Sequence, residues 1–250
     1  MIGACEALDL IRHVDVVDTA KSGDILDEFS DLFTGIGSIP GEHHIVIDDT
    51  VPPVVHLPRR NPLTVGAKLK NTLDKLENNG VITKQDSPTV WVNSLLVVEK
   101  KDGILLICLD PRDLNKAIKK EHYHIPTCDK VLAKLSGKKA FTIIDMKDGF
   151  WQIKSDKASS LLCTFNTPYG RYSMNRLPFG ILSAPEVFQK HNNEIFGDIP
   201  GACIVFDDLI VAGCDDEEHD VALRMAFEQA REKGVKYCLT GKRYSTESLK

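Results

Sequence analysis

Two adjacent carboxylates, Asp207 and Asp208, interrupt the apolar run from Cys203 to Val211, and a third, Asp145, ends the apolar run Phe141-Thr142-Ile143-Ile144. Ionised Asp side chains in apolar surroundings repel one another and lose hydration, so such a set persists at a turn open to solvent or beside a cation. Three acids of this kind suffice to hold a pair of divalent metal ions. Asp-Asp is also ordinary hairpin-turn chemistry, so residue types alone leave both readings open. The metal reading requires the strand end and the hairpin tip to converge on one edge of a sheet. Two magnesium ions held there would activate a hydroxyl, neutralise charge developing on a phosphate and stabilise a leaving oxygen.

The elements around these acids follow from periodicity and turn chemistry. Val65, Leu69, Leu73 and Leu76 recur at helical spacing before Gly80, which predicts an amphipathic helix over 64–79. Residues 90–99 and 104–109 read as strands joined through Lys100-Lys101-Asp102-Gly103, a basic hairpin tip. A short helix is expected over 126–135 and a buried strand over 141–145. A second hairpin is expected from 161–166 and 171–175, turning at Thr167-Pro168-Tyr169-Gly170. Helices are expected over 184–196, with Pro185 in the first turn, and over 217–233, with Gly234 as C-cap. Residues 1–50 read as a linker with a short helix. Four prolines between Thr50 and Pro62 imply an extended arm. Strands and helices intermixed without regular alternation argue for an α+β fold.

Composition narrows the class further. The chain has 250 residues and 42% hydrophobic content, enough for a real core in one large or two small domains. No apolar run reaches the roughly 20 residues of a membrane span, and the N-terminus lacks a signal-peptide pattern. A protein of the cytoplasm or nucleus, not secreted, is expected. Seven scattered cysteines suggest neither a zinc site nor a disulfide framework. Residues 51–180 carry 21 basic and 12 acidic groups, between two acidic flanks. That basic block suits a polyanionic partner, or simply a solvated lysine surface.

Several blocks, in this order, resemble the reverse transcriptase segment of a gypsy-type long-terminal-repeat retrotransposon Pol polyprotein. They are Gly41-Glu42-His43-His44, Pro52-Pro53-Val54 followed by Arg59-Arg60, the stretches 76–82, 97–102, 109–116, 145–153, 159–172 and 177–189, and Phe206 to Ile210. The resemblance implies a right-hand polymerase, fingers and palm, with an antiparallel palm sheet packed on helices. It assigns residues 1–50 to an inter-domain segment following a protease, and 51–250 to a reverse transcriptase domain incomplete at its C-terminus. Asp145 and Asp207 would be direct metal ligands with Asp208 supporting, and the Met146 carbonyl a further ligand, for two Mg2+ ions or Mn2+ in their place. Phe150 matches the aromatic gate that excludes a ribonucleotide 2′-hydroxyl. Phe179 and Gly180 would lie over the nascent base pair beside Pro178, and Lys100 would hold the triphosphate. Arg112 and Gln152 are read as structural or template-supporting. Implied partners are primer-template nucleic acid, a deoxynucleoside triphosphate (dNTP), and ribonuclease H and integrase downstream in the polyprotein, with no membrane. The implied setting is a cytoplasmic virus-like particle or the nucleus.

Two positions depart from the family pattern. Val205 stands where Tyr usually precedes the acid pair, and Leu106 stands where an Arg would stack on the incoming base and pair with phosphate. Two other functions therefore accompany template-directed DNA synthesis: a decayed copy that binds nucleic acid without catalysis, and a metal-dependent nuclease, which would need neither Phe150 nor residues 177–180.

Overall fold

The computed structural model describes residues 23–59, 63–99, 103, 105–238 and 242–245; for 23, 24, 63–65, 128 and 242–245 only the backbone is considered. In chain order the elements are α1 (Gly23–Glu28), β1 (Glu42–His43), α2 (Leu63–Asn78), β2 (Ile82–Lys84), β3 (Ser94–Glu99), β4 (Leu105–Asp110), α3 (Leu114–Ala117), α4 (Cys128–Leu135), β5 (Ala140–Asp145), β6 (Lys154–Ser155), α5 (Lys157–Leu162), β7 (Thr164–Thr167), β8 (Gly170–Met174), α6 (Ala184–Phe196), β9 (Ala202–Val205), β10 (Asp208–Gly213), α7 (Asp216–Lys233) and β11 (Lys242–Ser245). Short 3-10 turns occupy Ser30–Phe33 and Gly149–Gln152. The expected α+β class is what these elements form. None of the described helices is long and apolar enough to cross a membrane.

The chain divides into two compact units, the first drawing on residues up to 38, 123–149 and 186 onward, the second on 39–122 and 150–185. The first unit is built on an antiparallel sheet in the order β11-β5-β10-β9. Val131 of α4 packs with Cys203, Val205 and Ile210, and Leu135 and Ile143 flank that cluster. Helix α7 packs against β10 and β5, burying His219, Ala222, Leu223, Ala226, Phe227 and Ala230 at helical spacing. The Asp215 carboxylate caps α7 by accepting from the Glu218 amide at 2.8 Å, and Gly234 ends it with φ of 70°.

Part of the segment expected as a linker lies in this core. Phe29 and Leu32 are 1% and 0% exposed, and the Phe29 ring meets Phe227 at 5.3 Å. The Arg231 guanidinium lies 4.4 Å from the Phe29 ring centroid, donates to the Glu28 carbonyl at 2.8 Å and pairs with Asp31. Aromatic anchors beside acids are hard to read as core, because their burial depends on α7, some 200 residues away in sequence.

The second unit holds the three-stranded sheet β2-β8-β7 and the antiparallel hairpin β3-β4. Leu69, Leu73 and Leu76 of α2 are buried as their spacing requires. The proline arm runs extended, with the His56 amide donating to the Val92 carbonyl at 2.8 Å. The hairpin expected from Leu161 starts later: Leu161 and Leu162 belong to α5, which Asp156 nucleates by accepting from the Ser159 amide at 2.7 Å. A strong N-cap thus overrides the strand-like pair that follows it.

Phe29→Ala is expected to lower unfolding stability by about 3–4 kcal/mol, the usual loss for deleting a buried aromatic ring. Denaturant unfolding reads this directly; a loss below about 1 kcal/mol would mean the segment is not part of the core.

Candidate active site

The register of the first unit's sheet brings the three acids together. Asp208, the first residue of β10, is the direct cross-strand partner of Asp145, the last of β5, just as Ile210 partners Ile143. Directly paired residues point to the same face, so the apolar row Ile143/Ile210 on the α4 side ends in two carboxylates. Asp207 sits in the two-residue turn between β9 and β10, and its carbonyl accepts from the Met146 amide at 2.7 Å, which ties the turn to the end of β5. On the other side of Asp145 its carbonyl accepts from the Cys238 amide at 2.8 Å.

Burial and mutual repulsion dominate the electrostatics. Asp207 is pushed up to about 6, first by burial and then by the Asp145 and Asp208 carboxylates. Asp208 is also raised to about 6, by burial and by Asp145. The Cys238 thiol, which donates to the Asp145 carboxylate, is driven up to about 11 by burial and by that same charge. No group of three or more His, Cys, Asp and Glu among the described residues forms a ready-made metal cage.

Gly149 carried no signal in the sequence, yet the site depends on it. A Cβ at this position would stand 2.8 Å from Asp207 Oδ1 and 2.9 Å from the Phe188 ring, so a larger residue would displace the acid or the ring. The DMKDGFWQI block contains it, but its role needs the fold to be seen.

The other expected site residues fall in the second unit, apart from Lys100, which lies outside the described residues. Phe150 and Phe179 stack obliquely, with ring centroids 5.1 Å apart and planes at 40°, and Trp151 meets Phe179 edge-on at 5.7 Å. Gly180 has φ of 108°, and a Cβ there would stand 2.1 Å from the Leu109 carbonyl oxygen. The close approach expected of this glycine is therefore made to the chain's own β4. The side chain of Asn115 holds that crossing, donating to the Gly180 carbonyl and accepting from the Leu182 amide, each at 3.0 Å. Arg112 is exposed and pairs with Asp110 at 3.1 Å. Gln152 is 0% exposed and Pro178 is buried. Leu106 lies opposite Val98 on the β3-β4 hairpin, where its side chain offers no charge.

The raised carboxylates set a pH dependence. Between about pH 4 and 6, the unfolded chain releases the protons of residues 207 and 208 while the fold still retains them, so their contribution to stability falls as pH rises through this window. Other acids run the opposite way: Glu218, held near 2 chiefly by Lys138, favours the fold once ionised. The difference between two variants isolates the site. In chelator-treated buffer, Asp207→Asn is expected to be more stable than the parent by on the order of 1 kcal/mol at pH 7, after discount for partial exposure, and equal to it near pH 4. Urea unfolding across this range tests it; a deficit of the variant at pH 7 would contradict the repulsion.

With the geometry in place, three comparisons bear on kinship. The family model described as "Reverse transcriptase (RNA-dependent DNA polymerase)" matches residues 98–239. The enzymatic polyprotein of Cauliflower mosaic virus (strain Strasbourg) is 33% identical over 150 residues, covering 60% of this chain and 22% of that one. The retrovirus-related Pol polyprotein from transposon 412 of Drosophila melanogaster is 30% identical over 185 residues, covering 71% of this chain and 15% of that one. The chain thus spans no more than about a fifth of the length of these curated relatives. Among solved structures, the prototype foamy virus protease-reverse transcriptase superposes with a TM-score of 0.81 at 24% identity, over 89% of this chain and 30% of that one. The foamy viral enzyme in complex with RNA/DNA hybrid gives 0.81 at 23%, over 94% and 32%. The fold is accordingly the fingers and palm of a reverse transcriptase, and the chain belongs to the reverse transcriptase family of nucleotidyltransferases.

Proposed function

We propose that this chain is the polymerase segment of a gypsy-type retrotransposon Pol polyprotein, with residues 51–250 as its fingers and palm and the segment holding Phe29 and Leu32 packed into the same core. The proposed reaction is RNA-directed DNA synthesis, in which a primer 3′-hydroxyl attacks the α-phosphate of a dNTP and pyrophosphate leaves. The observation that carries it is the cross-strand pairing of Asp208 with Asp145, with Asp207 tied alongside through Met146. Three carboxylates at the end of an apolar row, with Asp207 and Asp208 raised in proton affinity by burial and by the Asp145 charge, form a patch that a divalent cation would relieve. Magnesium is the cation such acids suit, since it keeps several waters and takes one or two carboxylates plus substrate phosphates.

On this reading Asp145 and Asp207 hold the ions, with Mn2+ able to replace Mg2+, the Met146 carbonyl adds a ligand, and Asp208 keeps the pair oriented. When bound there, the two cations supply a lowered pKa for the attacking hydroxyl and neutralise charge on the phosphate. The Phe150 ring excludes a 2′-hydroxyl by offering it neither room nor a hydrogen bond. Phe179 and Gly180 shape the surface beside the nascent pair, and Lys100 grips the triphosphate. Primer-template nucleic acid, and ribonuclease H and integrase segments in the same polyprotein, are the partners this reading implies. The likeness to transposon 412, and to transposon 297 at 27% identity over 244 residues, supports the retrotransposon setting.

A second reading draws on Leu106, whose apolar side chain leaves the β3-β4 hairpin without the expected cation. On it the chain binds nucleic acid without extending it. One assay separates the two. With a primed RNA template, dNTPs and magnesium, the purified chain is expected to extend the primer, and Asp207→Asn to cut the rate by roughly 10²–10³-fold, the scale for losing one preorganised charge-stabilising group. Salt-sensitive binding that is indifferent to magnesium and to Asp207, without extension, would contradict the polymerase reading.

A further inference from the structure

Beside the acid turn, helix α6 aims one amide at the backbone. Gln189 is 1% exposed, and its Nε2 donates to the Ile204 carbonyl at 3.1 Å while its Oε1 accepts from the Phe206 amide at 3.4 Å. Ile204 lies on β9, the edge strand of the sheet, one residue pair before the turn. In an antiparallel ladder closed by the pair Val205/Asp208, the next residue turns its polar groups outward, so the Ile204 carbonyl faces an edge where no strand receives it. Phe206 opens the turn with φ of 54°, a left-handed conformation that glycine adopts freely and phenylalanine does not. A strained turn on a sheet edge reverts unless something holds it.

The amide is itself held. Gln189 Nε2 also donates to Asn193 Oδ1 at 3.2 Å, and Asn193 Nδ2 donates to the Tyr123 hydroxyl at 2.9 Å. Its neighbour Phe188 closes the space beside Gly149 and Asp207 Oδ1. Gln189 thus fixes the turn by hydrogen bonds, while Phe188 beside it stands against Gly149.

We propose that Gln189 is a positioning residue for the acid pair, bracing the β9-β10 turn so that the Asp207 and Asp208 carboxylates stay in register with Asp145. Glutamine is the residue type this requires. Ile204 offers only an acceptor and Phe206 only a donor, and a carboxamide serves both at once. Glutamate would lose the donor and add a fourth negative charge, methionine would keep the shape and lose both bonds, and asparagine would fall short by a methylene. The proposal rests on the reading of the acids as metal ligands, and the experiment separates the two.

Mn2+ binding to the full chain is measured by the loss of the free-ion electron paramagnetic resonance signal, alongside amide exchange at Phe206 by NMR. Gln189→Met is expected to keep its circular dichroism spectrum, to bind Mn2+ roughly 10-fold more weakly, the lower end for removing a group that orients ligands, and to exchange the Phe206 amide faster. Unchanged Mn2+ affinity with unchanged Phe206 exchange would overturn the proposal. If Gln189→Met does not fold, Gln189→Asn, which falls a methylene short of both backbone partners and adds no charge, is measured in its place against the same two outcomes. If Asp207→Asn binds Mn2+ as tightly as the parent, the metal reading fails by itself; faster Phe206 exchange in the Gln189 variant then upholds the brace, and unchanged exchange refutes it.

Discussion

Two like charges facing each other across a β-ladder are the constraint on which the first unit turns. Carboxylates at the roughly 5 Å spacing of a cross-strand pair repel by on the order of 3 kcal/mol at an effective dielectric constant near 20. Asp208 opposite Asp145 is such a pair, and Asp207 adds a third charge next to it. A sheet left to its own preferences would fray there. Instead the apolar row behind the acids packs on Val131, and α7 covers the sheet through His219 and Thr142, whose side chains meet at 2.8 Å. The rigid sheet supplies the stability that the acid end gives up, a pattern common where charge is concentrated for chemistry.

The backbone around the acids shows the same economy of space. A methyl group at Gly149 would press on Asp207 and Phe188, and Met146 and Cys238 each hydrogen-bond an acid's own carbonyl. These contacts fix the main chain at the acid end of the sheet. In the second unit, Gly180 works comparably, letting the segment after Phe179 cross Leu109 at a distance no side chain permits. Glycines matter in both places for what they omit.

Much of this was legible before any coordinates. The apolar runs broken by acids announced β5 and the β9-β10 hairpin, because a charge inside such a run needs a reason. Helices α2 and α7 showed through their spacing and their terminal glycines. What the sequence hid was long-range. Phe29 and Leu32 look like part of an acidic tether until α7 is seen to cover them. Gln189 reads as one polar residue at the end of a motif until its amide is found on the edge strand. Gln152 and Pro178 sit in blocks shared with relatives, and the sharing says nothing about exposure; both are enclosed. The α5 helix was a local miss, since Asp156 followed three residues later by Ser159 was an available capping signal.

The central claim is that Asp207 and Asp208 share a repulsive field with Asp145 which a divalent cation relieves. Side-chain carboxyl ¹³C chemical shifts of these two residues, followed against pH with and without magnesium, report that field at its source. The account predicts midpoints near pH 6 in metal-free buffer and a fall below about pH 4 once magnesium is added, because a bound cation favours the ionised form. Ordinary carboxylate midpoints in the free protein, unmoved by magnesium, would contradict it.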